Sequence, residues 1–403
     1  MEYILWIFAY ISLFVTLFWL QVPAKVKVAK SITAFPTVSI LIPAYNEGET
    51  IKATIQSVRQ LNYPQDKLQI IVIDDGSTDN TYQEASAFKN VLVLHQTNKG
   101  KGAALNYGIQ QVKSEFVSCL DADSYMHPNS LKQLIPYFGD KRMGAVICAI
   151  RAKNTGRMLE KLQRLEYIFA AFMRKLMSMV NTLYITPGVL STYRTSVVRQ
   201  LGGFDDNRDN LTEDFEIALH LHSKGYKVRI ETKSIGYTNV PQTLKAHYHQ
   251  RVRWYRGFIY NTLKYKYMIF NNKYGMMGMF QLPLAILSVS MLFITFSILG
   301  YQIIQKSIEF ITDIFILRAN FFMMFKMPNI KLMLLNLDIR IWFPIIIIFM
   351  LVTYMFIRAH RDAQEKWRFM WVYPLYFIYY PYLQMIYWIS ALFKESVKAK
   401  RKW

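Results

Sequence analysis

Residues 69–79 read QIIVIDDGSTD: an unbroken apolar run, rich in β-branched side chains, stops at two carboxylates, a glycine and a string of turn-forming polar residues. Such a run reads as a strand buried on both faces, and Asp, Gly and Ser are the residues on which strands turn. The pattern recurs on either side of it. TVSILIP (37–43) ends in PAYNE (43–47), and FVSCLDAD (116–123) ends in Asp121 and Asp123. Between these runs lie helix-like stretches at 48–61, after Asp79 and at 101–112, with a short apolar run, VLVLH, at 91–95. Strand, helix, strand at this spacing predicts an α/β, Rossmann-like domain whose parallel sheet is covered on both faces. Its acidic turns then gather at the carboxyl ends of the strands, where open α/β sheets bind ligands.

Outside this block the composition changes. The chain has 403 residues, enough for more than one core, is 53% hydrophobic and 15% aromatic, and carries a formal charge of +21. Apolar and basic together point to a membrane before nucleic acid. Charge-free runs cover 3–24, 274–305, 341–357 and 369–393, and a spanning helix needs about 20 residues. The predicted organisation is a transmembrane helix at 1–24, a catalytic block with interfacial helices at 31–260, and a membrane region at 261–403 with spans near 276–305, 340–358 and 371–393. Residues 306–339, broken by seven charged side chains such as Lys306, Asp313 and Lys331, read as an interfacial segment or external loop. Lys25, Lys27 and Lys30 follow the first helix, and Lys264, Lys266 and Lys273 precede the second. By the positive-inside rule these put the block in the cytoplasm of a multi-pass cell-membrane protein. That basic decoration accounts for most of the +21 without a nucleic-acid partner, and Cys119 and Cys148 are expected as reduced thiols.

Several local patterns carry chemistry. Asp121 and Asp123 leave their strand on the same side, two residues apart, and repel unless a cation sits between them; Mg2+ or Mn2+ with substrate phosphates is the usual occupant. NKGKGAALNYG (98–108) sets Gly100, Gly102, Lys99 and Lys101 at a helix start without P-loop spacing, which suits a pyrophosphate or a simple cap. NLTEDFEIALHLHSKGY (210–226) opens a helix with Glu213 and Asp214. Asn210 with Glu213 is a capping-box-like start, and one of the two carboxylates is otherwise a candidate general base. HYHQRVRWYR (247–256), if helical, puts Gln250, Arg253 and Trp254 on one face, an amide, a guanidinium and an indole pointing together. Arg251 and Arg256 are left for head groups or structural pairing. The His220/His222 and His247/His249 pairs diverge on a helix, and no zinc site is expected from them.

In this order, Asp75 in DDGS, Asp121 and Asp123 in DAD, Asp214 in TED and Gln250, Arg253 and Trp254 in QRVRW resemble the D, DxD, TED, QxxRW signature of processive family 2 membrane glycosyltransferases. The arrangement of helices is most similar to that of the poly-β-1,6-N-acetylglucosamine synthases. The resemblance implies a GT-A fold and an inverting transfer of a sugar, N-acetylglucosamine by this likeness, from a UDP-sugar to a growing β-linked polysaccharide, with export of the product left open. It implies that Asp75, Asp121, Lys101, Gln250, Arg253 and Trp254 bind the nucleotide sugar, that Asp123 with Asp121 holds Mg2+ or Mn2+, and that Asp214 is the base. Gly188, in ITPGVLSTYR (185–194), would line the acceptor with Glu213 and Trp254. Expected partners are the UDP-sugar, a polysaccharide or lipid acceptor and membrane lipids, with room for a small membrane subunit. Two other readings compete: transfer of one sugar to a membrane lipid, which the QxxRW segment disfavours, and a transporter with a nucleotide sensor, which the charge-free runs disfavour.

Overall fold

The computed structural model describes residues 2–22, 35–317, 338–365 and 371–401. Lys25, Lys27 and Lys30, and most of the expected interfacial segment at 306–339, lie outside the described residues. The chain divides into two compact units, one of 1–22 with 284–357 and the other of 23–283 with 358–403.

The larger unit opens as the strand pattern predicts: β1 (Val38–Ala44), α2 (Ile51–Arg59), β2 (Leu68–Asp74), α3 (Thr81–Ser86), β3 (Val91–His95), α4 (Lys101–Gln110) and β4 (Phe116–Leu120), α1 (Glu2–Gln21) belonging to the other unit. The next elements are β5 (Ser124–Met126), α5 (Ser130–Leu134), β6 (Met143–Ala152), α6 (Met158–Met179), β7 (Val189–Arg194), α7 (Thr195–Gln200), α8 (Glu213–Ser223), β8 (Lys227–Thr238) and α9 (Leu244–Lys264). The described strands form one eight-stranded sheet in the order β3-β2-β1-β4-β7-β6-β8-β5. The first four strands are parallel, in a register that sets Ala44 beside Asp74. Beyond them the sheet is mixed: β7 runs antiparallel to both β4 and β6. A fully parallel sheet was the expectation, and it holds only for the half built from strand-helix-strand crossovers.

Alternation along β1 and β2 divides the core. Ile40, Ile42 and Val72 join Ile51, Ile55 and Val58 of α2 on one face, while Leu41, Ile71 and Ile73 join Ala104, Leu105 and Ile109 of α4 on the other. The chain leaves β1 for β2 and β3 on one side and returns to β4 on the other. The carboxyl ends of β1, β2 and β4 therefore flank a topological switch point.

Three helices of the described residues are long and apolar enough to cross a membrane: Tyr3–Gln21, Met277–Ile316 and Ile339–Ala363. The second contains α10 (Leu282–Leu317), which runs on through residues 306–317 where a loop or interfacial segment was expected. The third is α11 (Ile339–Ala363). The run expected to span at 371–393 forms α12 (Val372–Ser396), which is not among the three. Its many tyrosines lower its hydropathy, and it packs within the larger unit. Tyr387 and Ala391 bury against Val252, with Tyr248 and Tyr255 beside them, and Val372 buries against Leu162 and Leu165 of α6. Residues 372–396 thus also pack against the catalytic block. Both cysteines are free and buried.

Candidate active site

Asp75 is buried, and its carboxylate accepts hydrogen bonds from the Lys99 N–H (2.9 Å), the Gly100 N–H (2.8 Å) and the Gln96 side chain (2.7 Å). Three donors fix the 96–100 loop against the end of β2, so Asp75 shapes the rim, with one lone-pair direction of its second oxygen still unused.

That loop delivers Lys101, the first residue of α4, into the cleft. Its ammonium lies 2.6 Å from Asp121 and 2.8 Å from Glu213. Burial works against the charge, but Asp121, Glu213 and Asp214 outweigh it and hold Lys101 well above the ordinary lysine value. The expected pyrophosphate lysine is here the hub of a carboxylate cluster. Asp123 is raised, first by burial and then by the charge of Asp121. Glu47, at the end of β1, is raised by burial and by Asp123, Asp121 and Asp79. Two acids that repel across a cleft mouth, one already neutralised by an ammonium, are a donor set suited to a divalent cation. Among the described residues no three His, Cys, Asp or Glu side chains converge on a metal site, so such an ion would complete its shell with phosphate oxygens and water.

Gly188 faces this pair. Its carbonyl accepts from the Asp121 N–H at 2.8 Å, and a Cβ built on it would stand 2.2–2.5 Å from the Asp121 carboxylate. Glycine is needed there for space, and its contact is with the DxD aspartate.

The helix that carries Asp214 starts differently from the capping-box reading. Its N-cap is Thr212 and Glu213 is the first helical residue. Asn210 instead accepts from the Thr212 N–H (3.1 Å) and from the Asn261 amide of α9 (2.9 Å). Glu213 is buried against Lys101. Desolvation, then the charge of Glu213, pushes the Asp214 carboxyl up to about 6, against the pull of Lys101 and Arg253. A carboxylate tuned toward neutrality in a cleft is suited to accept a proton.

On α9 the arginines divide as expected. Arg251 is buried and forks onto Glu166 of α6 at 2.8 and 2.7 Å, and Arg256 binds Glu395 (2.6 Å) and the Ala399 carbonyl (2.6 Å) near the C-terminus. Both are structural pairs. Arg253 reaches the Leu211 carbonyl (3.4 Å) and its charge bears on Asp214. Among the described residues the buried Gln250 side-chain oxygen has no hydrogen-bond partner. Trp254 lies against the Arg251 guanidinium, 4.3 Å from ring centroid to its central carbon. Sequence reasoning passed over Glu47 and Glu166. PAYNE contained the signal for the first; for the second, the only sign was an acid inside a long amphipathic helix.

Residues 39–202 match the glycosyl transferase family 2 model. Poly-beta-1,6-N-acetyl-D-glucosamine synthase of Staphylococcus aureus (strain COL) is 34% identical over 226 residues, 55% of this chain and 54% of that protein. The synthase of the same name from Staphylococcus epidermidis matches at the same identity and coverage. The chain thus spans about half the length of the curated relatives it matches. Among solved structures, a mannosyltransferase from Pyrobaculum calidifontis in complex with GDP-Man and Mn2+ is 23% identical and superimposes with a TM-score of 0.52, covering 64% of this chain and 71% of that one. That likeness bears out the GT-A-type fold. The family likeness is thus carried by residues 39–202, which match the glycosyl transferase family 2 model.

Proposed function

We propose that this chain is a membrane glycosyltransferase that moves N-acetylglucosamine from its UDP conjugate onto a growing β-linked polysaccharide, with the catalytic block on the cytoplasmic side. The observation that carries the reading is the Asp214 carboxyl. It is pushed up to about 6 and flanked by the Lys101–Asp121 pair and by Arg253, at the edge where β1, β2 and β4 end. The similarity to staphylococcal poly-N-acetylglucosamine synthases supports the choice of sugar.

In this reading Asp214 takes the proton of an acceptor hydroxyl as its oxygen bonds to the anomeric carbon. The bond from that carbon to the β-phosphate oxygen breaks, UDP leaves with the electron pair, and the configuration inverts. Arg253 and Gln250 hold the diphosphate, and Trp254 gives the acceptor ring a flat face. Bound by Asp121 and Asp123, Mg2+ or Mn2+ would supply neutralising charge for the leaving diphosphate. Glu213 and Lys101 keep these groups at fixed spacing.

The test mixes purified protein with UDP-N-acetylglucosamine, UDP-glucose or UDP-glucuronate and follows UDP release and product size. Release confined to the first donor, with a ladder of products, is expected. A single lipid-linked species would favour one-step transfer to a membrane lipid, and no release from any donor would overturn the enzymatic reading.

A further inference from the structure

Trp254 does not stand alone on its helix. The Arg251 guanidinium beneath it is held from every side: by the two Glu166 oxygens (2.8 and 2.7 Å), and by His247, whose Nε2 accepts from Arg251 Nε at 3.1 Å. His247 is itself fixed, its other ring nitrogen 2.8 Å from the Tyr387 hydroxyl. The Tyr380 hydroxyl donates to the second Glu166 oxygen, and its ring stacks on Tyr376 at 4.7 Å between centroids. Arg251 and His247 are 4% and 0% exposed, so the guanidinium and the imidazole are shielded from water. A bidentate fork fixes the plane of a guanidinium, and a stacked guanidinium fixes the tilt of an indole.

The geometry points to Glu166 as a positioning residue that, acting through Arg251, sets the tilt of Trp254 and with it the affinity for the acceptor sugar. This rests on the reading of Trp254 as the acceptor platform. Glu166 makes no contact with Asp121, Asp123 or Asp214 in the hydrogen bonds and ion pairs of the described residues, so the donor side is left to other groups. Only a carboxylate at 166 serves. A glutamine keeps the volume but offers one acceptor to a two-pronged donor, and Lys at 251 keeps the charge but presents a point instead of a plane. A cavity of about 300 Å3 bordered by Glu166, Tyr376, Tyr380 and Gln384 adjoins the network. A sugar seated there would touch Glu166 directly, and the experiment separates that arrangement from positioning.

Steady-state transfer from UDP-N-acetylglucosamine to added N-acetylglucosamine oligosaccharide is measured for wild type, Glu166→Gln, Arg251→Lys and the milder Tyr380→Phe, each also in a Trp254→Ala background. Thermal unfolding in detergent identifies variants that fail to fold, in which case Tyr380→Phe carries the test. The expected result is an acceptor KM raised about tenfold in Glu166→Gln and Arg251→Lys, and less in Tyr380→Phe, with the donor KM and the dissociation constant for UDP within about twofold. In the Trp254→Ala background these substitutions should change nothing further, because the residue they act through is gone. Equal effects on donor and acceptor KM, or a Glu166 effect that survives removal of Trp254, would overturn the proposal. Absence of transfer in wild type would instead defeat the reading it rests on.

Discussion

Replacing Asp214 with Asn separates catalysis from stability. The carboxyl stands at about 6 instead of 3.8 because it is desolvated and lies beside Glu213. The fold therefore favours its protonated form. Stability is highest below the unfolded value near 4 and declines as pH rises through about 6, so at neutral pH the ionised group costs about 1–3 kcal/mol for a shift of about two units. Asparagine removes that cost while keeping the side-chain shape, so Asp214→Asn should unfold at higher temperature than wild type at pH 7.5, with the difference vanishing near pH 4. Transfer should fall by about 10²–10⁴, the range for loss of a general base, with UDP-sugar binding by calorimetry within about twofold. In the wild type, kcat/KM should drop tenfold per pH unit below about 6. A variant that is inactive and also less stable at pH 7.5 would mean that Asp214 holds the fold rather than the proton; wild-type transfer by the variant would remove it from the chemistry.

Four other outcomes are expected. Gly188→Ala forces a methyl to within 2.2–2.5 Å of the Asp121 carboxylate and should cost about 1–3 kcal/mol of stability by denaturant melts, along with most of the transfer. Arg253→Ala should lower kcat by about 10² or more without moving the melting temperature by more than a few degrees, whereas Arg256→Ala, which removes a buried arginine from Glu395 but leaves that carboxylate its pair with Arg401, should destabilise by about 1–3 kcal/mol and spare donor affinity. Lys101→Met leaves Asp121 and Glu213 without their shared ammonium. It should raise the apparent affinity for Mn2+, read by titration calorimetry, only if Lys101 and the cation compete for Asp121. Chelation should abolish UDP release, and added Mg2+ or Mn2+ should restore it.

The parallel half of the sheet was legible because each strand there is a continuous β-branched run ending in an acidic turn, and those turns are where the site gathers. The antiparallel strand β7 was not, since LSTYR has neither a strict alternation nor a long apolar run; its pairing with β4 and β6 is a tertiary matter. Asp214 was marked as the base by the likeness of TED to the family signature, while the pairing of its neighbour Glu213 with Lys101, 112 positions away in the chain, left no local trace. Residues 371–393 form a charge-free run like the other expected spans, while the tyrosine hydroxyls in it that meet Glu166 and His247 announce themselves only in three dimensions. Helical phase set Arg251 apart from Arg253, but the partner of Arg251, 85 residues upstream, left no local trace.

Gly257 lies where α9 crosses the segment leading to Asp214. A Cβ there would come within 2.2 Å of the Thr212 hydroxyl, and one turn further on the Asn261 amide donates to Asn210 and to Thr212. Lys264 extends the seam to Asp205 and Glu216. The helix bearing Gln250, Arg253 and Trp254 and the N-terminal end of the helix bearing Asp214 are therefore tied together. If Asp214 is the base and α9 binds the diphosphate, as proposed, the two move together, so opening and closing the two ends of the reaction is a single movement. Substitutions along the seam should accordingly change UDP release and proton removal in the same proportion, leaving their ratio as a constant of the scaffold.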